Sequence, residues 1–287
     1  MDKDLSKRSM FRMALSNLDA WLNSPRVLLM ALCVIVYGVM LAVGDRQGFW
    51  AAGISVPLTL PEKLFVNLYN SFYNMGSLLF LVMVSEVPRR IPFQHVMLIR
   101  STRRKWVASQ CLYCAMMVLL TMALLSAVYT LIILPGSSLN AAFTDDGFIA
   151  AGLYEQEESF IPAYIRQHFT PWSACAFTAI PMFFFWYTMA LVILLCSMLG
   201  HPLLGPSIYG SILMGKTTIL MECLPHWLKL PTDFSSLGAI VQNCAQGELR
   251  HAAFVLAIYL GVVAAMILLL MRIASHADFT FFDEKHA

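Results

Sequence analysis

Residues 172–224 read WSACAFTAIPMFFFWYTMALVILLCSMLGHPLLGPSIYGSILMGKTTILMECL, and no Asp, Glu, Lys or Arg interrupts them before Lys216. A membrane-crossing helix needs about 20 mostly apolar residues, so the stretch is long enough for two of them. Gly200-His201-Pro202, near its middle, supplies the chain reversal between them. So brief a turn requires the two helices to be antiparallel neighbours. The same length test, carried outward in both directions, gives six expected spans, at about 27–43, 65–84, 106–134, 172–199, 203–224 and 251–271. The composition agrees: 59% of the 287 residues are hydrophobic, 13% are charged and the mean hydropathy is +0.69, which excludes an ordinary water-soluble domain. The expected fold is all-α and polytopic, one transmembrane domain over residues 1–287.

Ahead of the first span, Met10 to Leu22 sets Phe11, Ala14, Leu15, Leu18 and Leu22 at helical spacing, with Arg12, Ser16, Asn17 and Asp19 on the other side. Asn23-Ser24-Pro25 then breaks the pattern. The segment 10–22 reads as an amphipathic helix lying in the membrane interface and turning into the first span. No short apolar run ending in a small-residue cleavage site follows the basic start, so the first span is expected to remain in the mature protein. The first two spans are joined by a short polar loop holding Asp45, Arg46, Glu62 and Lys63.

Charge fixes the expected orientation. Residues 86–105 carry Arg89, Arg90, Arg100, Arg103, Arg104 and Lys105 against the single acid Glu86. The segment 135–171 carries Asp145, Asp146, Glu155, Glu157 and Glu158 against Arg166. With both termini cytoplasmic, thirteen of the 19 Lys and Arg lie inside, five outside, and Lys216 within a span. This is the positive-inside distribution expected of a multi-pass protein of the cell membrane, and it makes 135–171 and 225–250 extracytoplasmic. The seven cysteines are an odd number scattered through apolar runs, most of them reading as small buried hydrophobes. Cys223 and Cys244 flank one expected outer segment, and a disulfide between them is left open.

Several motifs bear on chemistry. Gly210 to Thr217 satisfies the phosphate-loop expression G-x-x-x-x-G-K-[ST], but that motif works only as a loop between a strand and a helix, and here it lies inside a membrane-length apolar run. It is read as coincidence, so no nucleotide and no metal is expected to bind this chain. Lys216, inside a span, requires water or a partner, because an ammonium at mid-bilayer costs about 2.5–3.5 kcal/mol on insertion scales. It either lines a substrate path, with Glu222 as a more exposed companion, or snorkels to the headgroups. Gly205-Pro206-Ser207, with His201 or His251 as base, is a poor hydrolase constellation and a better helix kink. Cys111 and Cys114 form a lone C-x-x-C suited to helix packing, and His226 near Glu222 is a poor metal site.

The connection 87–101 is the most informative polar segment. Pro92 suits the first turn of a short helix whose Phe93, Val96, Met97 and Arg100 share one side, an apolar knob rimmed by Arg89, Arg90 and Arg100. That is a docking surface; the plainer alternative is a basic loop resting on anionic lipid headgroups.

With this segment, the N-terminal amphipathic stripe and the six-span count, the chain resembles permease subunits of bacterial ABC exporters of the type-2 class. The nearest local likeness runs from Leu98-Ile99-Arg100-Ser101 to Arg103-Arg104-Lys105-Trp106. The resemblance implies that 10–22 is the connecting helix and that 87–101 is the coupling helix inserted into a cytosolic ABC ATPase subunit. It implies further that ATP and magnesium sit on that partner, and that a second permease copy or a homologous permease completes a dimer in the bilayer. No nucleic-acid partner is expected. The long acidic segment 135–171 departs from the compact members of the family. A six-span channel or ion-coupled carrier independent of an ATPase is the alternative from another class, though intramembrane acids and internal repeats, which would favour a carrier, are not evident. An integral-membrane enzyme would require clustered His, Asp or Glu, and those residues are scattered.

Overall fold

A computed structural model describes residues 2–51, 59–68, 75–85, 87–88, 102–134, 137–139, 169–215 and 249–276. Among them the architecture is all-helical: α1 (Asp2–Leu22), α2 (Pro25–Ala51), α3 (Leu60–Asn67), α4 (Ser77–Val84), α5 (Arg103–Ile133), α6 (Pro171–Met198), α7 (Leu204–Gly215) and α8 (Leu249–His276). Four helices contain a stretch long and apolar enough to cross a membrane, at Pro25–Gly44, Arg103–Ile133, Pro171–Met198 and Leu256–Ser275. The second and fifth expected spans are described as the shorter pieces α3, α4 and α7.

Helix ends follow local chemistry. α1 stops at a two-residue elbow, where the Asn23 side-chain amide donates to the Asp19 carbonyl (3.0 Å) and the Ser24 hydroxyl accepts from the Val27 N–H (3.3 Å) to open α2. Thr170 and Ser173 cap α6 reciprocally, with Pro171 in the first turn, where a missing N–H costs nothing. At the other end Gly200 takes a φ of 86°, which a residue with a Cβ adopts only under strain, and the His201 N–H reaches back to the Cys196 carbonyl (2.9 Å). The sharp Gly200-His201-Pro202 reversal is thereby closed, and α7 returns along α6.

The core is built around α5 and α6. α6 packs against α3, α4, α5, α7 and α8, and α5 against α1, α2, α3, α4, α6 and α8. Two thirds (67%) of the most apolar stretch of α6 is buried, against 11% for α8, so α6 is the central helix and α8 a peripheral one. Much apolar surface faces outward, as on α2, where Leu28, Leu29, Leu32, Val36 and Met40 are all more than half exposed. Where helices approach most closely, glycine makes room. A Cβ on Gly205 would lie 2.6 Å from the Ile193 Cα, and one on Gly38 would lie 2.8 Å from the Val128 Cγ1.

Hydrogen bonds set the direction of each neighbour. The Cys175 thiol donates to the Pro61 carbonyl (3.2 Å), the Trp186 indole to the Ser77 hydroxyl (2.8 Å) and the Ser197 hydroxyl to the Val87 carbonyl (2.9 Å). Residue numbers rise together along both partners, so the α3–α4 segment runs parallel to α6. From Cys175 to Ser197 is about 33 Å at 1.5 Å per residue, close to the thickness of a bilayer's hydrocarbon. α5 runs the other way, with the Thr121 hydroxyl 3.6 Å from the Met83 sulfur and Leu125 beside Gly76.

Three features differ from the sequence reading. Asp45, Arg46, Glu62 and Lys63 were expected in a loop; Asp45 and Arg46 fall within α2, while Glu62 and Lys63 fall within α3 and are buried (1% and 8% exposed). The Lys63 ammonium donates to the Ser137 hydroxyl (3.1 Å) and the Leu60 N–H to the Ser138 carbonyl (2.9 Å), docking the start of α3 on the end of α5. The helices outrun the apolar stretches because polar residues continue a helix readily beyond the hydrocarbon. The N-terminal helix likewise starts at Asp2, before Met10. Its buried side is Ala14, Asn17 and Trp21, while Phe11, Leu15 and Leu22 remain 40–49% exposed. The connection 87–101 beyond Pro88, the span from 216 onward and the segments 140–168 and 216–248 lie outside the described residues, as do Cys223 and Cys244.

Candidate functional site

The residues expected to grip a partner, Arg89, Arg90, Phe93, Val96, Met97 and Arg100, and the two path candidates, Lys216 and Glu222, all lie outside the described residues. What the structure gives is the frame from which they spring.

The basic connection has two roots. At the first, Val84 and Val87 are buried, the Val87 N–H donates to the Val84 carbonyl (3.0 Å), and the Val87 carbonyl accepts from Ser197 near the end of α6. Val87 precedes a proline, so the chain leaves α4 in a non-helical direction. At the second root Thr102 is extended and α5 begins at Arg103; Arg103 and Arg104 are exposed, whereas Trp106 and Val107 are buried. Because α5 is antiparallel to α4, both roots lie at the same end of the bundle, the end that also carries the 199–203 reversal. Pro88 and Thr102, the described residues that flank the connection, therefore lie at one end, beside a further Arg-Arg-Lys cluster at 103–105.

The other candidate hangs from α7. Its position is set by a buried aromatic node joining α4, α6 and α7. The Trp186 indole N–H donates to Ser77, the Tyr209 hydroxyl donates to the Ser77 carbonyl (3.1 Å), Phe80 stacks on Trp186 (centroids 5.0 Å apart) and Phe185 meets Tyr209 edge-on. Each of these rings is fully or almost fully buried. The polar tips of Trp and Tyr are satisfied inside an apolar bundle, where an unmade hydrogen bond would cost the full desolvation of the group. α7 is thus fixed to two neighbours, and Lys216 is the residue that follows its last described position, Gly215.

Among the described residues the remaining motifs resolve as packing. Gly210 to Gly215 of the phosphate-loop match is α-helix, so its interior amides are directed along the helix and do not converge on an anion. Ser207 donates its hydroxyl to the Leu203 carbonyl (2.8 Å), and Gly205 serves the close approach to Ile193. Cys111, Cys114, Cys175 and Cys196 are buried free thiols. Among the described residues no group of three His, Cys, Asp or Glu could hold a metal. Two features escaped the sequence reading. One is an open apolar groove of about 560 Å³ between α5 and α6, lined by Leu119, Met122, Ser126, Ile180, Phe183 and Phe184. The other is Gln110 on α5, 1% exposed, with neither side-chain polar atom hydrogen-bonded. A glutamine inside an apolar run is a visible signal, but its burial is not.

Comparison of the chain with protein-family models, with curated proteins and with solved structures finds no match.

Proposed function

We propose that this chain is the six-span membrane subunit of an ATP-driven exporter, similar to type-2 ABC permeases, working as a dimer with itself or a homologous permease in the cell membrane. The observation that carries the reading is the rooting of the basic connection. The described residues that flank 89–101 are two buried anchors at one end of the bundle, Val87 tied to Ser197 and the α5 start at Trp106. A force applied to that connection reaches α4, α5 and α6 directly. In this reading the end is cytoplasmic, both termini share its side, and the amphipathic N-terminal helix lies in the interface. Phe93, Val96 and Met97, rimmed by Arg89, Arg90 and Arg100, dock on a separate ATPase that binds ATP and magnesium. ATPase closure pushes the connection, and rigid-body movement of the spans opens a path bearing Lys216 and Glu222 to the outside. A peptide or other amphipathic molecule suits such a path.

Two variants test the proposal. Phe93→Ala and Met97→Ala should insert normally yet lose ATP-dependent transport and co-purification with the ATPase subunit. Transport that persists in both, or that proceeds in liposomes holding this chain alone, overturns it in favour of an independent channel or carrier. Lys216→Leu should change substrate-stimulated ATPase activity; an unchanged rate assigns Lys216 to the headgroups.

A further inference from the structure

Where the start of α3 meets the end of α5, at the end of the bundle opposite the basic connection, a hydroxyl and an amine stand in contact. α5 ends at Ile133, and the Ser137 N–H donates to the Leu134 carbonyl (3.3 Å), turning the chain back over the helix end. The Ser137 Oγ then lies 2.9 Å from the Ile133 carbonyl, to which it donates, and 3.1 Å from the Lys63 Nζ. Lys63 is held from the other side. The Leu60 N–H donates to the Ser138 carbonyl (2.9 Å), the Lys63 N–H to the Thr59 carbonyl (3.1 Å), and the Cys175 thiol ties the Pro61 carbonyl to α6 (3.2 Å). Main-chain bonds therefore fix both partners of a side-chain contact between residues 74 apart in sequence.

The pair differs from an ordinary helix-end contact in what is covered and what is open. Ser137 is only partly buried, whereas Lys63 is 8% exposed, so the hydroxyl is the accessible group and the amine the sheltered one. Buried lysines are the ones that serve as general bases, because burial favours the uncharged amine. Glu62, 1% exposed, precedes Lys63 on the adjoining side of α3, since consecutive helix residues do not face each other. Thr59, the N-cap of α3, is 1% exposed, and its hydroxyl makes no hydrogen bond, although an N-cap threonine ordinarily accepts from the first turn of its own helix. Thr59 pairs with Ser138 in a parallel bridge, which holds this unpartnered hydroxyl beside the chain neighbour of Ser137.

We propose that Ser137 and Lys63 form a serine–lysine dyad that hydrolyses a carboxylic ester or amide at this rim of the bundle, with the Thr59 hydroxyl as donor to the oxyanion. When Lys63 is uncharged, the Ser137 hydroxyl turns from the Ile133 carbonyl to the Nζ across the same 3.1 Å. The Oγ attacks the acyl carbon and its proton passes to the Nζ. The bond from that carbon to the leaving oxygen or nitrogen then breaks, and the leaving group takes the proton from the Nζ. Water attacks the resulting Ser137 ester and gives a proton to the Nζ; the carbon–Oγ bond breaks, and the Oγ recovers that proton. The products are the free acid and an alcohol or amine. A donor left unsatisfied in the resting protein and used only when the carbonyl oxygen becomes an oxyanion favours the transition state over the ground state. This activity is additional to transport, and its failure leaves the exporter reading untouched.

The full chain in nanodiscs is treated with a fluorophosphonate probe, the labelled residue is read by mass spectrometry, and hydrolysis of p-nitrophenyl butyrate is followed in parallel. The unaltered chain should be labelled at Ser137 and cleave the ester, and Ser137→Ala should lose both by about a thousandfold or more. Lys63→Arg keeps the charge and a donor for Ser137 but cannot take up a proton; kcat should fall about a thousandfold, whereas a lysine that only braces the helix end would be replaced without loss. Thr59→Val should lower kcat about a hundredfold with KM unchanged. Ser138→Ala, whose part is played by its main chain, should keep the parent rate. Ser137→Cys gives a reading that does not depend on the alanine variant: iodoacetamide should alkylate its thiol about tenfold faster than in the Ser137→Cys/Lys63→Met double variant. Absence of label at Ser137 in the unaltered chain, activity retained in Lys63→Arg, or equal alkylation of the two cysteine variants overturns the dyad. An unchanged kcat in Thr59→Val overturns the assignment of the oxyanion donor.

Discussion

Gly205→Ala is the smallest change that tests how tightly the α6–α7 hairpin is closed. The added methyl carbon would stand 2.6 Å from the Ile193 Cα, 3.2 Å from its Cγ1 and 3.3 Å from its Cβ. Carbon atoms rest at about 3.5–4.0 Å, so α7 must retreat by roughly an ångström at this level. The nearest atom is main chain within the last turns of α6, so no side-chain rotation relieves the contact. A gap of about 0.5–1 Å forfeits a quarter to a half of each dispersion contact across the seam. The retreat also stretches the Tyr209 to Ser77 bond one turn further on, now 3.1 Å. Overpacking of this kind costs about 1–3 kcal/mol, and the backbone contact places this site at the upper end. The control is Gly261→Ala on α8, where nothing lies within 4 Å of the new methyl and alanine gains about 0.8–1.0 kcal/mol of helix propensity. Denaturation of the purified chain in mixed detergent, followed by helical circular dichroism, should rank Gly261→Ala at or above the parent and Gly205→Ala well below. Gly38→Ala, which meets only the Val128 side chain at 2.8 Å, should fall between them. A Gly205→Ala protein as stable as the parent refutes the close seam and with it the fixed position of α7.

Ser77→Ala should strand the Trp186 indole N–H in the core and cost about 1–3 kcal/mol in the same titration, with a change in tryptophan emission; the double variant with Trp186→Phe should cost less than the two single losses added, since both act on one bond. Ser197→Ala should cost about 1 kcal/mol and raise protease cleavage within 89–101, because the first root of the connection loses its tie to α6. Cys175→Ala should cost less than Ser77→Ala, because a thiol is a weak donor and the Pro61 carbonyl it serves has little to lose; a larger loss would mean the α3 start depends on it.

Helix positions were legible because the membrane-length test needs only an apolar run: residues 106–134 and 172–199 differ from α5 and α6 by at most three residues at either end. Facing was not legible. Among helices in an apolar solvent, hydrophobicity no longer separates inside from outside, and the leucines of α2 point outward while Gly38 and Gly205 mark the seams. On α1 likewise Asn17 and Trp21 are buried while Phe11, Leu15 and Leu22 stay partly exposed, a division that the apolar stripe does not reveal. Glu62 and Lys63 read as loop residues because charge was the only signal, and the Ser137 partner of Lys63 lies 74 residues away. The aromatic node was half legible: Trp186 and Tyr209 sit in apolar runs and must find acceptors, but nothing local names Ser77.

The three cross-ties that bind α3, α4 and Val87 to α6 join residues 114, 109 and 110 apart in sequence, one tie near each end of α6 and one midway. α3 and α4 are therefore each riveted to the same central helix, and sliding either along α6 means breaking a buried bond, while the Phe80–Trp186 stack resists twist of α4 about α6. A tilt of α6 carries both of these pieces with it.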